Sequence, residues 1–216
     1  MRVLYFLLFL YLVGCDSSKK ENTINEVNSS QKEETITSTL KNQKLNIEQQ
    51  ITSALFAAPK QVRNEAKVYG YDQNNNLIVL KEGTNNFICI TDNPKKDGFE
   101  VVAYHSSLEP FMSRGRVLSR EGKSRQEKET IRSSEAKSGV LKMPSNPATL
   151  HIYYGKDGFF NTKTDSIENA KYRYVVYIPY ATQKLTGLPL SPNESNHPWL
   201  MFPGKYNAHI MISPKE

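Results

Sequence analysis

Lys171-Tyr172-Arg173-Tyr174-Val175-Val176-Tyr177-Ile178 is the stretch on which the fold turns. Tyr172, Tyr174, Val176 and Ile178 alternate with Arg173, Val175 and Tyr177, and period two marks a strand whose successive side chains point to opposite faces. One face is aromatic and aliphatic; the other is mixed. Working outward, residues 149–154 and 208–213 have the same character and predict two more strands, separated from the first by Gly/Asp turns and a proline-rich loop over 186–203. Upstream, short apolar runs at 66–71, 77–81, 87–91 and 99–104 are joined by Asn- and Gly-rich reversals at 72–76, 83–86 and 93–98. Asn tolerates the left-handed backbone that a tight reversal needs, so these four runs predict an antiparallel meander.

Helical signals lie between and before these regions. Ser106 with Glu109 has the spacing of a capping box, and Pro110 falls in the first turn, where its missing N–H is tolerated; a helix over about 107–121 follows, stopped by Gly122. Ser124 with Glu127 repeats the spacing for a second helix to about residue 137, with Gly139 as its stop. Near the N-terminus, Asn46 precedes Ile47, Ile51, Ala54, Leu55 and Ala58, the stripe of a short amphipathic helix ended by Pro59 and expected to lie on the sheet. The fold class is therefore α+β: one domain over 47–216, mainly antiparallel sheet, with an N-terminal helix and two inserted central helices. No internal repeat is present.

The first 46 residues have a different chemistry. Leu12-Val13-Gly14-Cys15 ends an uncharged run from Val3 to Val13 and precedes Asp16, Ser17, Ser18, Lys19 and Lys20. The run is too short for a stable membrane span of roughly 20 residues. It has the form of a lipoprotein signal peptide over 1–14, with Cys15 as the lipid-bearing first residue of the exported chain. Acyl chains such as palmitate on Cys15 would contribute ~0.8 kcal/mol per buried CH₂, enough in combination to anchor the protein. Residues 15–46 are polar and carry no aromatic residue, which predicts a disordered tether with an r.m.s. reach of roughly 30 Å. The expected location is the cell envelope, on a bacterial membrane.

Charge and cysteine narrow the partners. The chain holds 28 basic and 22 acidic residues; 47–216 carries 22 against 17, a net of +5, and 111–143 alone carries nine against four, again +5. A basic helical face favours an anionic envelope component or a protein partner, although Glu121, Glu127, Glu129 and Glu135 dilute it toward an ordinary solvated face. With Cys15 assigned to lipid, Cys89 has no disulfide partner within the mature domain, and Phe87-Ile88-Cys89-Ile90 predicts a buried thiol.

The densest chemistry lies in 104–116. His105 and Glu109 suggest an acid/base pair, while Arg114 and Arg116 are candidates to hold an anion at a helix N-terminus; the competing structural account uses Ser106 and Glu109 as the cap and the arginines as surface. Of His105, His151, His197 and His209, none has zinc-site spacing, and His105 with His209 is the pair whose convergence would make a small hydrolase or metal-dependent enzyme. No nucleophile elbow, Ser-x-x-Lys or phosphate loop is present, and no cofactor, metal or nucleic-acid partner is expected. Trp199, between Pro198 and Pro203, is expected to plug the core beneath its loop.

Ala66-Lys67-Val68-Tyr69-Gly70-Tyr71, Glu82-Gly83-Thr84-Asn85, Tyr104-His105 with Leu108-Glu109-Pro110-Phe111-Met112 and Arg114-Gly115-Arg116, Tyr172 to Pro179, and Ala208 to Pro214 together resemble an uncharacterised family of bacterial secreted proteins and lipoproteins. The resemblance spans about 51–214. It implies one compact exported domain and no established activity. Relatives in that family can carry a second cysteine just before the Tyr-His pair, where this chain has Ala103, so a disulfide open to them is absent here. The expected function is a binding or structural module displayed on a membrane tether; the alternative is the enzyme centred on His105, Glu109 and His209.

Overall fold

The computed structural model describes residues 41, 43–194 and 196–214. The expected signal peptide, Cys15 and most of the expected tether lie outside the described residues. Among the described residues there are ten strands: β1 Lys67–Tyr71, β2 Leu77–Lys81, β3 Phe87–Ile90, β4 Phe99–His105, β5 Ala148–Gly155, β6 Phe159–Asn161, β7 Ser166–Glu168, β8 Lys171–Tyr177, β9 Trp199–Met201 and β10 His209–Ile212. Eight of them form one sheet in the order β2-β1-β3-β4-β5-β8-β10-β9, while β6 and β7 pair with each other. The fold is α+β, as the sequence predicts. Strands β6, β7 and β9 were not expected: they are three residues each, too short to show a period.

The first four strands do not form the expected meander. β3 pairs with β1, in parallel, and β2 is left at the edge of the sheet. A short reversal is compatible with either outcome, because stepping outward and stepping back across the hairpin both need only a few residues. Contacts at the start of β1 decide between them. The two-turn 3-10 helix Lys60–Glu65 presents the Glu65 carbonyl, which accepts from the N–H groups of Thr84 and Asn85 at 2.8 and 3.2 Å. The Asn85 side chain donates to the Val62 carbonyl at 2.7 Å. This strap carries the chain from β2 around the end of β1 into β3, with Gly83 pressed against the Lys67 backbone.

Helix α1, Ile47–Phe56, covers one face of β1, β3 and β4. Its Asn46 cap and Gln49 form a reciprocal capping box. Small residues on both sides set the close approach: Ala54, Ala57 and Ala58 pack with Val68, Cys89, Val101 and Ala103. The buried stripe differs from the expected one. Ile47 is 57% exposed, whereas Gln50 is buried, its amide bonding the backbone of Tyr71 from both ends (2.8 and 3.1 Å) where β1 outruns β3.

The opposite face is covered by α2, Glu109–Arg120, and α3, Arg125–Lys137, which form an inserted helical hairpin. Leu108 packs with Ile88, Tyr104, Leu150 and Val175, and Phe111 with Tyr177 and Tyr206. Full burial of Leu108 and Leu118 stabilises the fold by about 2 kcal/mol each relative to exposure. The cap of α3 is the expected one, Ser124 with Glu127, and Gly122 and Gly139 end the two helices at φ +73° and +77°. At the far end of the sheet the fully buried plug is Leu200 of β9, packed with Ala181 and Ala208. Trp199 does not plug the core: it stands half-buried on β9, opposite Met211.

Candidate functional site

The residues singled out around His105 divide into separate structural tasks. His105 ends β4, and its Nδ1 bonds the Ser107 hydroxyl (2.8 Å) and accepts from the Ser107 N–H (3.3 Å), closing the 3-10 turn Ser106–Leu108 that leads into α2. Ser106 and Glu109 do not form the expected capping box. Glu109 turns instead toward the sheet: the Tyr104 hydroxyl donates to its Oε2 at 2.5 Å, and Arg116 donates to its Oε1 at 2.5 Å. Arg116 closes the ring by donating to the Tyr104 hydroxyl at 3.0 Å. Burial holds the Tyr104 phenol far above its usual range, so it stays protonated as the donor.

Both candidate anion-holding arginines are thus engaged within the protein. Arg116 belongs to this ring, and Arg114 grips Glu135 of α3 through Nε and Nη2 at 2.7–3.0 Å. Elsewhere in the basic segment Lys123 pairs with Glu127 in the first turn of α3, and the Arg132 guanidinium lies 4.3 Å from the Phe111 ring centre, a further link between α3 and α2.

His209 does not join His105. Register places Met211 opposite Val175, Val175 opposite Leu150, and Leu150 opposite Tyr104, so His209, two residues from Met211, shares the face of Tyr104. His105 follows Tyr104 and points to the other face. The two strands are also three spacings apart, roughly 14 Å. Glu109 sides with Tyr104. The three side chains proposed for an enzyme therefore do not converge, and the residue pattern could not show this because strand order lies between them. His209 is occupied structurally: Nδ1 donates to the Asn207 carbonyl at 2.8 Å, and the ring sits between Tyr177 and Phe202. Cys89 is buried in the core as expected, and desolvation pushes its thiol up to about 12, which makes it inert.

A different constellation occupies the face that α1 leaves open. His151 of β5 lies opposite Ala103 and Tyr174, and Tyr153 lies opposite Val101 and Tyr172. The rings form one continuous series: Tyr153–Tyr172 at 4.5 Å, Tyr172–Tyr174 at 4.7 Å, Tyr174–His151 at 5.1 Å, His151–Phe87 at 6.3 Å and Phe87–His105 at 6.2 Å between centres. The Tyr172 hydroxyl bonds His151 Nδ1 at 2.9 Å. Tyr174 is 37% exposed, and at the other end of the series Tyr153 packs against the core beneath α1. Burial lowers the His151 pKa.

Compared with known proteins, the chain matches no family model, no curated protein and no solved structure. Half of the signal for the strip was present in the alternation of Tyr172 and Tyr174; the other half, Phe87, His151 and Tyr153, comes from strands β3 and β5, which only the sheet brings alongside.

The buried histidines have a pH consequence. Burial lowers the folded-state pKa of both His151 and His209 below the unfolded value of about 6.5. Their contribution to stability is therefore present above that pH and lost as pH falls through the folded values, because the unfolded chain takes up protons that the folded chain resists. Urea unfolding of His151→Gln is expected to lose less stability than wild type between pH 7.5 and 5.5. Equal losses in the two proteins would contradict this account.

Proposed function

We propose that the protein is a lipid-anchored component of the bacterial cell envelope whose domain binds an uncharged glycan chain along the open aromatic strip. The observation that carries the reading is the ring series from Tyr153 to His105, in which Tyr174 is exposed, His151 is buried and the other rings are half-buried. Tyrosine offers a flat apolar ring and a polar tip, which suits a partner with C–H faces and hydroxyl edges. A partly exposed aromatic series of this kind suits an interaction site. The strip is built from tyrosine, phenylalanine and histidine rings with no lysine or carboxylate among them, which suits a neutral glycan. A peptide is less well matched, because extended peptides gain their main-chain hydrogen bonds at a sheet edge, and β5 and β8 are already paired on both sides. The lipobox around Cys15 and the polar tether support display at a membrane surface, and among the described residues no helix is long and apolar enough to cross a membrane.

The test uses the full chain in detergent, titrated with chitotetraose as a neutral glycan and followed by tyrosine fluorescence. Tyr174→Ala is expected to weaken binding at least tenfold, about 1.4 kcal/mol, as for a central aromatic contact. In cells, Cys15→Ser is expected to abolish palmitate labelling and release the protein from the membrane fraction. Glycan affinity indifferent to Tyr174, or a preference for acidic polysaccharide or peptide, would overturn the binding assignment; labelling that survives Cys15→Ser would overturn the anchor.

A further inference from the structure

The two edges of the eight-stranded sheet are built differently. β9 is three residues long and lies between Pro198 and Pro203, and its Leu200 N–H, which points away from β10, donates to the Pro189 carbonyl at 2.8 Å. A short strand, flanking prolines and a covering segment are devices that keep an edge from pairing with another chain. β2 is the opposite case. It is five residues long, and from Gln73 to Leu80 the chain has neither proline nor charge. Lys81, the residue placed to guard this edge, turns its ammonium back to the carbonyls of Asn64 and Ala66 at 2.6 and 3.2 Å.

The ladder shows which backbone groups are open. The Tyr69 carbonyl accepts the Thr91 N–H at 3.1 Å, so Tyr69 bonds toward β3, and its neighbours Val68 and Gly70 bond toward β2. Gly70 faces Ile78. Ile78 therefore bonds inward, and Leu77 and Val79 direct their N–H and C=O groups outward, where among the described residues no further strand lies. Ile78 and Val79 are each 39% exposed, one on each face of the sheet. A bulge between β1 and β2, where Val68 faces Lys81 but Tyr69 faces Val79, bends β2 beyond Val79 and confines the open ladder to Leu77, Ile78 and Val79.

We propose that β2 pairs with β2 of a second copy of this chain, antiparallel about a two-fold axis at Ile78. Leu77 of each copy then faces Val79 of the other, and each of these pairs exchanges both of its N–H···O=C bonds, so every open group of the ladder is satisfied. Ile78 faces its own counterpart across the axis in a non-hydrogen-bonded pair, and all the facing side chains are aliphatic. Past the ladder, Lys81 comes level with Asn75 of the other copy and Glu82 with Asn74, so no like charges meet. A second copy is favoured over a foreign strand because the two-fold operation by itself matches each open group and each side chain, with nothing more to be supplied. The axis uses up both β2 edges and β9 is guarded, so pairing stops at a dimer instead of running on as a filament. So short a seam falls well below the roughly 20–30 residues a side of a standard interface, which makes the dimer weak and dependent on concentration.

Sedimentation equilibrium of the full chain in density-matched detergent, over about a hundredfold range of concentration, is expected to show monomer and dimer in exchange. Val79→Lys sets a charge in the open ladder and is expected to weaken the dimer at least tenfold. Its side chain stands at the surface, so the melting temperature of the dilute protein is expected to match wild type, which separates lost pairing from lost folding. Cysteine cross-linking reads the register, with both variants made in Cys15→Ser so that the buried Cys89 is the only other thiol. Ile78→Cys is expected to form an intermolecular disulfide on mild oxidation, because facing residues of a non-hydrogen-bonded pair have Cα atoms about 4.5 Å apart, within disulfide range. Val79→Cys is expected to cross-link at least tenfold more slowly, since its counterpart is offset by two residues and lies roughly 8 Å away. A chain that stays monomeric over the whole range would overturn the proposal and leave the β2 edge to the chain's own N-terminal segment or to a foreign strand. A dimer indifferent to Val79→Lys, or equal cross-linking through the two cysteines, would overturn it as well.

Discussion

Glu109→Ala is expected to lower the unfolding free energy by about 3 kcal/mol, the low end of the range for removing one partner of a buried ion pair. Glu109 serves two donors at once, the Tyr104 hydroxyl from β4 and the Arg116 guanidinium from the second turn of α2. Its loss leaves a guanidinium with 24% side-chain exposure without its carboxylate and removes the acceptor of a phenol on a fully buried tyrosine. Partial exposure of Arg116 lets water recover some of that cost, which is why the upper end of the range is not expected. Tyr104→Phe removes only a hydroxyl and leaves Glu109 and Arg116 paired, so about 1 kcal/mol is expected there. Urea unfolding of the two variants and the double variant measures the coupling. A loss below 1 kcal/mol for Glu109→Ala, or strict additivity in the double variant, would show that the ring does not hold α2 to the sheet.

Gly83→Ala is expected to cost 3 kcal/mol or more, because the added methyl has no free volume and no movable neighbour. Its Cβ would stand 2.2 Å from the Lys67 nitrogen and 2.7 Å from both the Ala66 carbonyl carbon and the Glu65 oxygen, all of them backbone atoms. Relief requires lifting the strap, and lifting it breaks the bonds from Thr84 and Asn85 to Glu65 that deliver β3 to the near side of β1. The natural control is Gly122→Ala, where nothing lies within 4 Å and only a positive φ is strained, so about 1 kcal/mol is expected. Thermal unfolding monitored by circular dichroism compares the two. Equal losses in the two variants would mean that the strap is loose and the strand order is held elsewhere.

The elements with long-range period or explicit punctuation were legible. The strand at Lys171–Tyr177 declared itself by alternation, α1 and α3 by Asn46 and by Ser124 with Glu127, and the helix ends by Gly122 and Gly139. Capping chemistry is local, so the residues that perform it are neighbours in sequence. The same spacing misled at Ser106 and Glu109. A carboxylate three residues into a helix caps it only if nothing stronger competes, and here Tyr104 and Arg116 do.

The candidate site was half legible for a related reason. The sequence determined by itself that one face of β8 is aromatic, that Cys89 belongs in a core, and that the segment ending at Cys15 has the form of an export and lipidation signal. Tertiary structure alone decided which face is covered. The inserted hairpin α2–α3 took the mixed face of β8, burying Val175 and Tyr177, and α1 stopped short of β5 and β8 on the other, leaving Tyr172 and Tyr174 beside His151 and Tyr153. It also decided that His105 and His209 face away from each other. Period two records that a strand has two faces; only strand order and the placement of helices, set by contacts between residues distant in the chain, determine what each face meets.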